Sequence, residues 1–116
     1  VASVSIGEIY RERVRYQEDS TKWKSRPVVI VSVSRDVVLA VAASFTSIGP
    51  KNPPNYYDSF KFKVVHWQHA NLDKPSWIKT HPGNLLELYI ADLSVPVGFL
   101  HPDDLDGLLD FLAEQE

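Results

Sequence analysis

Arg26-Pro27-Val28-Val29-Ile30-Val31-Ser32-Val33, then Ser34-Arg35-Asp36, then Val37-Val38-Leu39-Ala40-Val41-Ala42-Ala43-Ser44-Phe45 is the stretch on which the fold turns. Residues 27–33 are β-branched almost throughout, a composition that packs well on a pleated surface and loses side-chain freedom in a helix. Residues 37–45 make a second apolar run. The polar triplet between them reads as a tight turn, so the whole stretch predicts a buried β-hairpin.

Outward from this hairpin the extended character continues. Ile9 to Tyr16 sets Ile9, Arg11, Arg13 and Arg15 against Tyr10, Glu12, Val14 and Tyr16, and a period of two sends all three arginines to one face of a strand. Gln17 to Ser25 is polar except for Trp23 and reads as an exposed loop or wide hairpin tip. Thr46 to Tyr57 holds Gly49, Pro50, Pro53 and Pro54, which end the strand and make a long irregular loop. Ser59 to Val65 has the alternation of a half-buried strand, and Ser76 to Thr80 is a short strand closed by the turn residues His81-Pro82-Gly83-Asn84. Leu85 to Leu93 fits helix or strand equally. Val95 to Leu100 reads as extended, with Pro96 tolerated at an edge or bulge. His101-Pro102-Asp103-Asp104 then opens a helix: proline suits its first position, the aspartates suit the positive end of its dipole, and Leu105, Leu108, Leu109 and Leu112 share one face. The expected fold is mainly β, with five or six short twisted antiparallel strands in a small barrel or two-sheet sandwich and a C-terminal helix packed against it.

With 116 residues the chain has length for one core, and a single domain over 1–116 is expected. Hydrophobic residues at 44% and charged residues at 23% argue against disorder. The longest apolar run, Val37 to Ala43, is far short of the roughly 20 residues that a bilayer span needs, and no signal-like segment opens the chain. No membrane association is expected. The absence of cysteine excludes a disulfide framework, a thiol nucleophile and a thiolate zinc site, and makes the cytoplasm the expected compartment. The chain also lacks methionine and opens at Val1, so an initiator removed or trimmed away is expected.

The net charge of −3 conceals an asymmetry. From Asp92 onward seven acidic residues meet no Lys or Arg, which leaves residues 1–91 with twelve basic against eight acidic side chains. Arg11 to Arg26 alone holds six basic against three acidic, a balance that admits a polyanionic partner and equally a solvated face. The arginine row could meet phosphates or be the charged side of an edge strand.

Arg26-Pro27 is the most informative pair. Proline forces the residue before it into an extended conformation and is least harmful where a strand begins, so Arg26 is fixed where a polar loop meets a buried strand. Its five donors then suit a planar oxyanion such as phosphate, or a neighbouring carboxylate. Thr46-Ser47 ends the next strand, and a short hairpin brings the end of one strand beside the start of the other. Those hydroxyls can serve a site at Arg26 or merely cap loop amides. Lys79 and His81, two apart at a strand end, can project together, and an imidazole moves protons near neutral pH. Tyr56, Tyr57, Trp67 and Trp77 can stack on bases or fill core. His66 and His69 lack the three or four spaced ligands of a zinc site, and no metal or other cofactor is expected. With no phosphate-binding glycine loop, nucleophile elbow, zinc-protease motif or paired-carboxylate spacing, any chemistry must need few protein groups.

Gly7-Glu8-Ile9-Tyr10, the Arg26-to-Ser32 strand, the strand ending in Thr46-Ser47, Leu72-Asp73-Lys74-Pro75-Ser76-Trp77-Ile78-Lys79, and Val97-Gly98-Phe99-Leu100 before Asp103-Asp104-Leu105 together resemble the MazF/PemK family of toxin endoribonucleases, in order along nearly the whole chain. The resemblance implies an SH3-like barrel, a homodimer, and a cognate antitoxin whose acidic, disordered segment occupies the RNA site. It implies metal-independent cleavage of single-stranded RNA in which the substrate's own 2′-hydroxyl attacks, leaving a 2′,3′-cyclic phosphate and a 5′-hydroxyl, with growth inhibition as the outcome. It assigns Arg26 to the pentavalent phosphorane, Thr46 or Ser47 to a nonbridging oxygen, and Lys79 and His81 to proton transfer. Arg11, Arg13, Arg15, Lys22, Trp23 and Lys24 would then bind the RNA chain. Two departures stand out: His81 occupies a position where a carboxylate is typical, and Lys24-Ser25 replaces glycine before the arginine. These leave room for a non-catalytic barrel that binds an antitoxin or poisons a topoisomerase-like target, or for a general RNA-binding domain whose RNA stays intact.

Overall fold

Val29 lies opposite Ala43 and Ile30 opposite Ala42, so the two apolar runs pair as antiparallel strands β2 (Trp23–Val33) and β3 (Leu39–Thr46). The computed structural model describes residues 4–15, 21 and 23–115, with main chain alone for residues 14, 15 and 23. The connecting turn is longer than the expected triplet. Ser34 Oγ accepts the main-chain N–H groups of Val38 and Leu39 and donates to the Asp36 carboxylate, which also accepts from Val38. Val37, expected to open the strand, instead sits in the turn at φ 56°, a conformation unfavourable for a β-branched residue and held here by the Ser34–Asp36 network.

Before the hairpin runs β1 (Glu8–Arg15), and after it come β4 (Lys61–Lys63), β5 (Trp77–Lys79), β6 (Leu85–Tyr89), β7 (Gly98–Phe99) and helix α1 (Pro102–Ala113). The strands form one antiparallel, curled sheet in the order β4-β5-β3-β2-β1-β7, a half-barrel in which β5 and β6 share one edge of β3. Three sequence readings change. Trp23–Ser25, expected in a loop, belong to β2. The Ser59–Val65 strand shrinks to three residues because Tyr57–Phe60 forms a 3-10 turn. The undecided segment from Leu85 becomes a strand and then a short 3-10 turn at Ile90–Asp92. Among the described residues the strand count rises to seven because β6 and the two-residue β7 both pair.

Period-two alternation gives the sheet two buried faces. One carries Ile9, Val29, Ala43, Phe45 and Ile78 and packs under α1 through Leu105, Leu108 and Leu112. Leu108 is fully buried, worth about 1.5–3 kcal/mol for such a side chain. The other face carries Tyr10, Val28, Ile30, Ala40 and Ala42, covered by Val4, Ile90 and Leu93. The helix starts as expected, with His101 Nδ1 accepting the Asp103 N–H.

The chain between β4 and β5 closes the gap between the two ends of the strand order. Asp104, buried in the first turn of α1, accepts the N–H groups of Val65 and His66 at 3.1 and 2.8 Å. Ala70 presses its carbonyl against Gly98 of β7 so closely that a Cβ there would collide with it. Thr80 Oγ1 donates to the Phe60 carbonyl and accepts from Gln115 Nε2, fastening the far end of the helix to β5. No helix among the described residues is long and apolar enough to cross a membrane.

Candidate functional site

Pro27 explains where the Arg26 side chain goes. The Ile30 carbonyl accepts from Gly7 N–H on the β1 side, and main-chain groups alternate along a strand, so the polar groups of Val29 and Pro27 face β3. The Leu39 carbonyl accepts from Ser34 N–H on the β2 side, so by the same alternation the polar groups of Ala43 and Phe45 face β2. The pairing of Val28 with Ser44, carried one step further, sets Pro27 opposite Phe45. Proline has no N–H to give. The Phe45 carbonyl is thereby left without its ladder donor, and the guanidinium of Arg26 supplies one from Nη1 at 3.4 Å. That bond is long, hence weak, and the half-buried guanidinium retains donors for another acceptor.

The same register gathers three of the expected catalytic residues on one face. Arg26 stands opposite Thr46 in the extended β2–β3 register, on the face of Val28 and Ser44. Thr46 pairs with Trp77 of β5, and the next rung sets Lys79 beside Ser44. Arg26, Thr46 and Lys79 therefore occupy neighbouring strands, about 4.8 Å apart per strand, on the face away from α1. Thr46 is nearly buried, and its Oγ1 accepts the Ile48 N–H at 3.2 Å while its own proton is still available to donate. Ser47 follows, exposed, at the start of the long loop.

That loop is fixed at both ends. Gly49 lies over the Trp77 ring so tightly that a Cβ would come within 2.7 Å of it. Asp58 gathers the far end: its carboxylate accepts the N–H groups of Lys51 and Asn55, both at 3.0 Å, and meets Lys61 Nζ at 3.1 Å. The two main-chain donors, and then Lys61, hold its pKa down to about 2 against the opposing effect of burial.

His81 stands apart from the Arg26 rungs. Its ring meets Tyr56, Tyr57 and Phe60 edge-on at centroid distances of 5.7, 5.0 and 4.8 Å. Nδ1 accepts the Gly83 N–H at 3.0 Å, so neutral His81 carries its proton on Nε2. Tyr56 and Tyr57 are exposed, and with His81 they form an aromatic rim next to the strand end that bears Lys79.

The expected RNA-binding residues divide. Arg11 pairs with Pro27 and Arg13 with Ser25, so both exposed arginines lie on the face of β1 opposite to Arg26. Arg11 lines a cleft of about 320 Å³ with Ile9, Asn71, Leu72, Asp73 and Val97. Lys24 is exposed in β2. Lys22, and the side chains of Arg15 and Trp23, lie outside the described residues, as does most of the Gln17–Ser25 segment. One neighbour was not anticipated: Glu12 stands directly opposite Arg26 across the β1–β2 pair. Alternation put Glu12 on the other side of the strand from the arginines, but only the register says which residue it meets. No protein-family model matches the chain, and no curated protein matches it.

Proposed function

We propose that the chain is the toxin component of a toxin–antitoxin pair and a metal-independent endoribonuclease for single-stranded RNA. The observation that supports this most directly is the grouping of Arg26, Thr46 and Lys79 on neighbouring strands of one face, with Arg26 drawn toward β3 by the carbonyl that Pro27 leaves unpaired. In RNA cleavage the 2′-oxygen forms a bond to phosphorus as the bond to the 5′-oxygen breaks. The protein has to hold the phosphate, stabilise its added charge and move two protons.

A phosphate oxygen is a stronger acceptor than a neutral carbonyl, so it displaces the 3.4 Å contact of Arg26 at little cost. The guanidinium then stabilises the phosphorane, and the hydroxyl of Thr46 or Ser47 donates to a nonbridging oxygen. Lys79 and His81 divide the proton transfers, one taking the proton from the 2′-hydroxyl and the other giving one to the departing 5′-oxygen, which requires the bound RNA to reach from the Arg26 rungs to the aromatic rim around His81. Tyr56 and Tyr57 supply exposed rings on which flanking bases stack. Because Arg11 and Arg13 face away from Arg26, an RNA touching both wraps past the rim of the β1–β2 ribbon rather than lying on one face. A homodimer and an acidic antitoxin segment complete the reading, as the resemblance to the MazF/PemK family implies.

The test is incubation of the pure protein with a mixed-sequence single-stranded RNA in excess chelator. Cutting is expected, with cyclic phosphate ends, and it should stop when the ribose at a mapped cut site is replaced by deoxyribose. RNA that stays intact, or a deoxyribose position that is still cut, overturns the reading.

A further inference from the structure

Three histidines and an aspartate converge where the segment after β4 meets the start of α1. His66 and His101 stack with ring centroids 4.0 Å apart, and His69 meets His101 edge-on at 4.9 Å. Asp103 Oδ2 lies 3.9 Å from His66 Nε2 and 3.8 Å from His101 Nδ1. One ligand-type atom from each of His66, His101 and Asp103 falls within 4.8 Å of the others. The sequence hides this grouping, because 35 positions separate His66 from His101 and only the fold brings them together.

We propose that His66, His101 and Asp103 bind one late first-row divalent ion, zinc being the physiological candidate, and that the ion clips the segment after β4 to the helix. Two imidazoles and a carboxylate are a donor set suited to zinc, cobalt or nickel and poorly suited to magnesium or calcium, which take oxygen ligands. Tetrahedral coordination at about 2.0–2.1 Å puts ligand atoms roughly 3.3 Å apart, so these atoms close by about 0.5 to 1.5 Å on binding. The side chains have that freedom: His66 is 42% and Asp103 79% exposed. The main chain beneath them does not need to move. Asp104 already bonds the N–H of His66 at 2.8 Å from the adjoining helical position, so the two ligand-bearing segments are held together before any ion arrives. The fourth position falls to water or to His69. His101 Nδ1 gives up its bond from Asp103 N–H when it turns to the ion, and a metal–ligand bond takes the place of that helix cap. The proposal uses none of the residues assigned to RNA cleavage and does not depend on that assignment.

The experiment titrates tag-free protein, stripped with chelator, with cobalt as a visible probe and with zinc in competition. One equivalent is expected, with the intense visible absorption of four-coordinate cobalt, displacement by zinc, and a melting temperature that rises with zinc concentration. His66→Ala and Asp103→Asn, both at exposed positions, should each weaken binding by about a hundredfold and abolish the zinc-dependent rise in melting temperature. His81→Ala should bind as the parent does. No uptake up to millimolar metal, or undiminished uptake in the folded His66→Ala and Asp103→Asn proteins, overturns the site.

Discussion

Arg26 and Pro27 act as a unit because one residue removes a donor and the other replaces it. With alanine at position 26 the Phe45 carbonyl loses its donor and the proposed phosphate site loses its cation. Removing one preorganised donor of this kind typically costs about 10²–10³-fold in turnover, so Arg26→Ala should lose RNA cleavage to that extent while keeping a melting temperature close to the parent. Arg26→Lys should recover only a small part, since a point charge cannot offer a phosphate the paired donors of a planar fork. Initial rates on one RNA, with melting curves of the same samples, check both, and a folded Arg26→Ala protein with parental turnover would remove Arg26 from the site. The extended backbone at Arg26 was legible in the sequence, because the effect of proline on its neighbour is local. Glu12 was not, since a partner across a strand pair is fixed by register and β1 has no internal signal that sets it.

Among the elements, the loop between β3 and β4 carries the clearest pH signature. Asp58 has a folded-state pKa of about 2, set first by the N–H donors of Lys51 and Asn55, against about 3.9 when unfolded. A depressed carboxylate stabilises the fold fully above its unfolded pKa and loses that contribution as pH falls through the folded one. Asp58→Asn should therefore melt well below the parent at pH 6, with the gap narrowing from about pH 4 and nearly gone by pH 2. Paired melting curves across that range test it, and a gap that does not change with pH contradicts it. The loop itself could be read from its prolines and glycine, whereas Asp58 resembles any solvent-facing acid in a polar stretch until its donors are seen. The buried hairpin and the helix start were equally legible, being set by composition and capping within a few residues. The extension of β2 back to Trp23 and the strand character of β6 were not: each depends on a partner strand that supplies hydrogen bonds to a segment of indifferent propensity.

Across the whole molecule the two faces of the sheet are given different work. The acidic helix covers one face through Leu105, Leu108 and Leu112, and the opposite face carries Arg26, Thr46 and Lys79 at its rim. The charge asymmetry along the chain becomes only in part a separation in space, because Glu12 stands opposite Arg26 and because Arg11 and Arg13 lie on the helix side of the sheet. Closure by Asp104 and by the Ala70–Gly98 contact could not be anticipated, because both join segments that have no pattern in common. The proposal that cleavage occurs at the Arg26 face is tested most directly by binding an uncleavable RNA, with deoxyribose at the cut site, to isotope-labelled protein and following backbone amide and arginine side-chain resonances. The shifts should concentrate on Arg26, Thr46, Ser47 and Lys79, with the largest side-chain change at Arg26. Shifts confined to Arg11, Arg13 and the cleft beside them, with Arg26 unmoved, would contradict it.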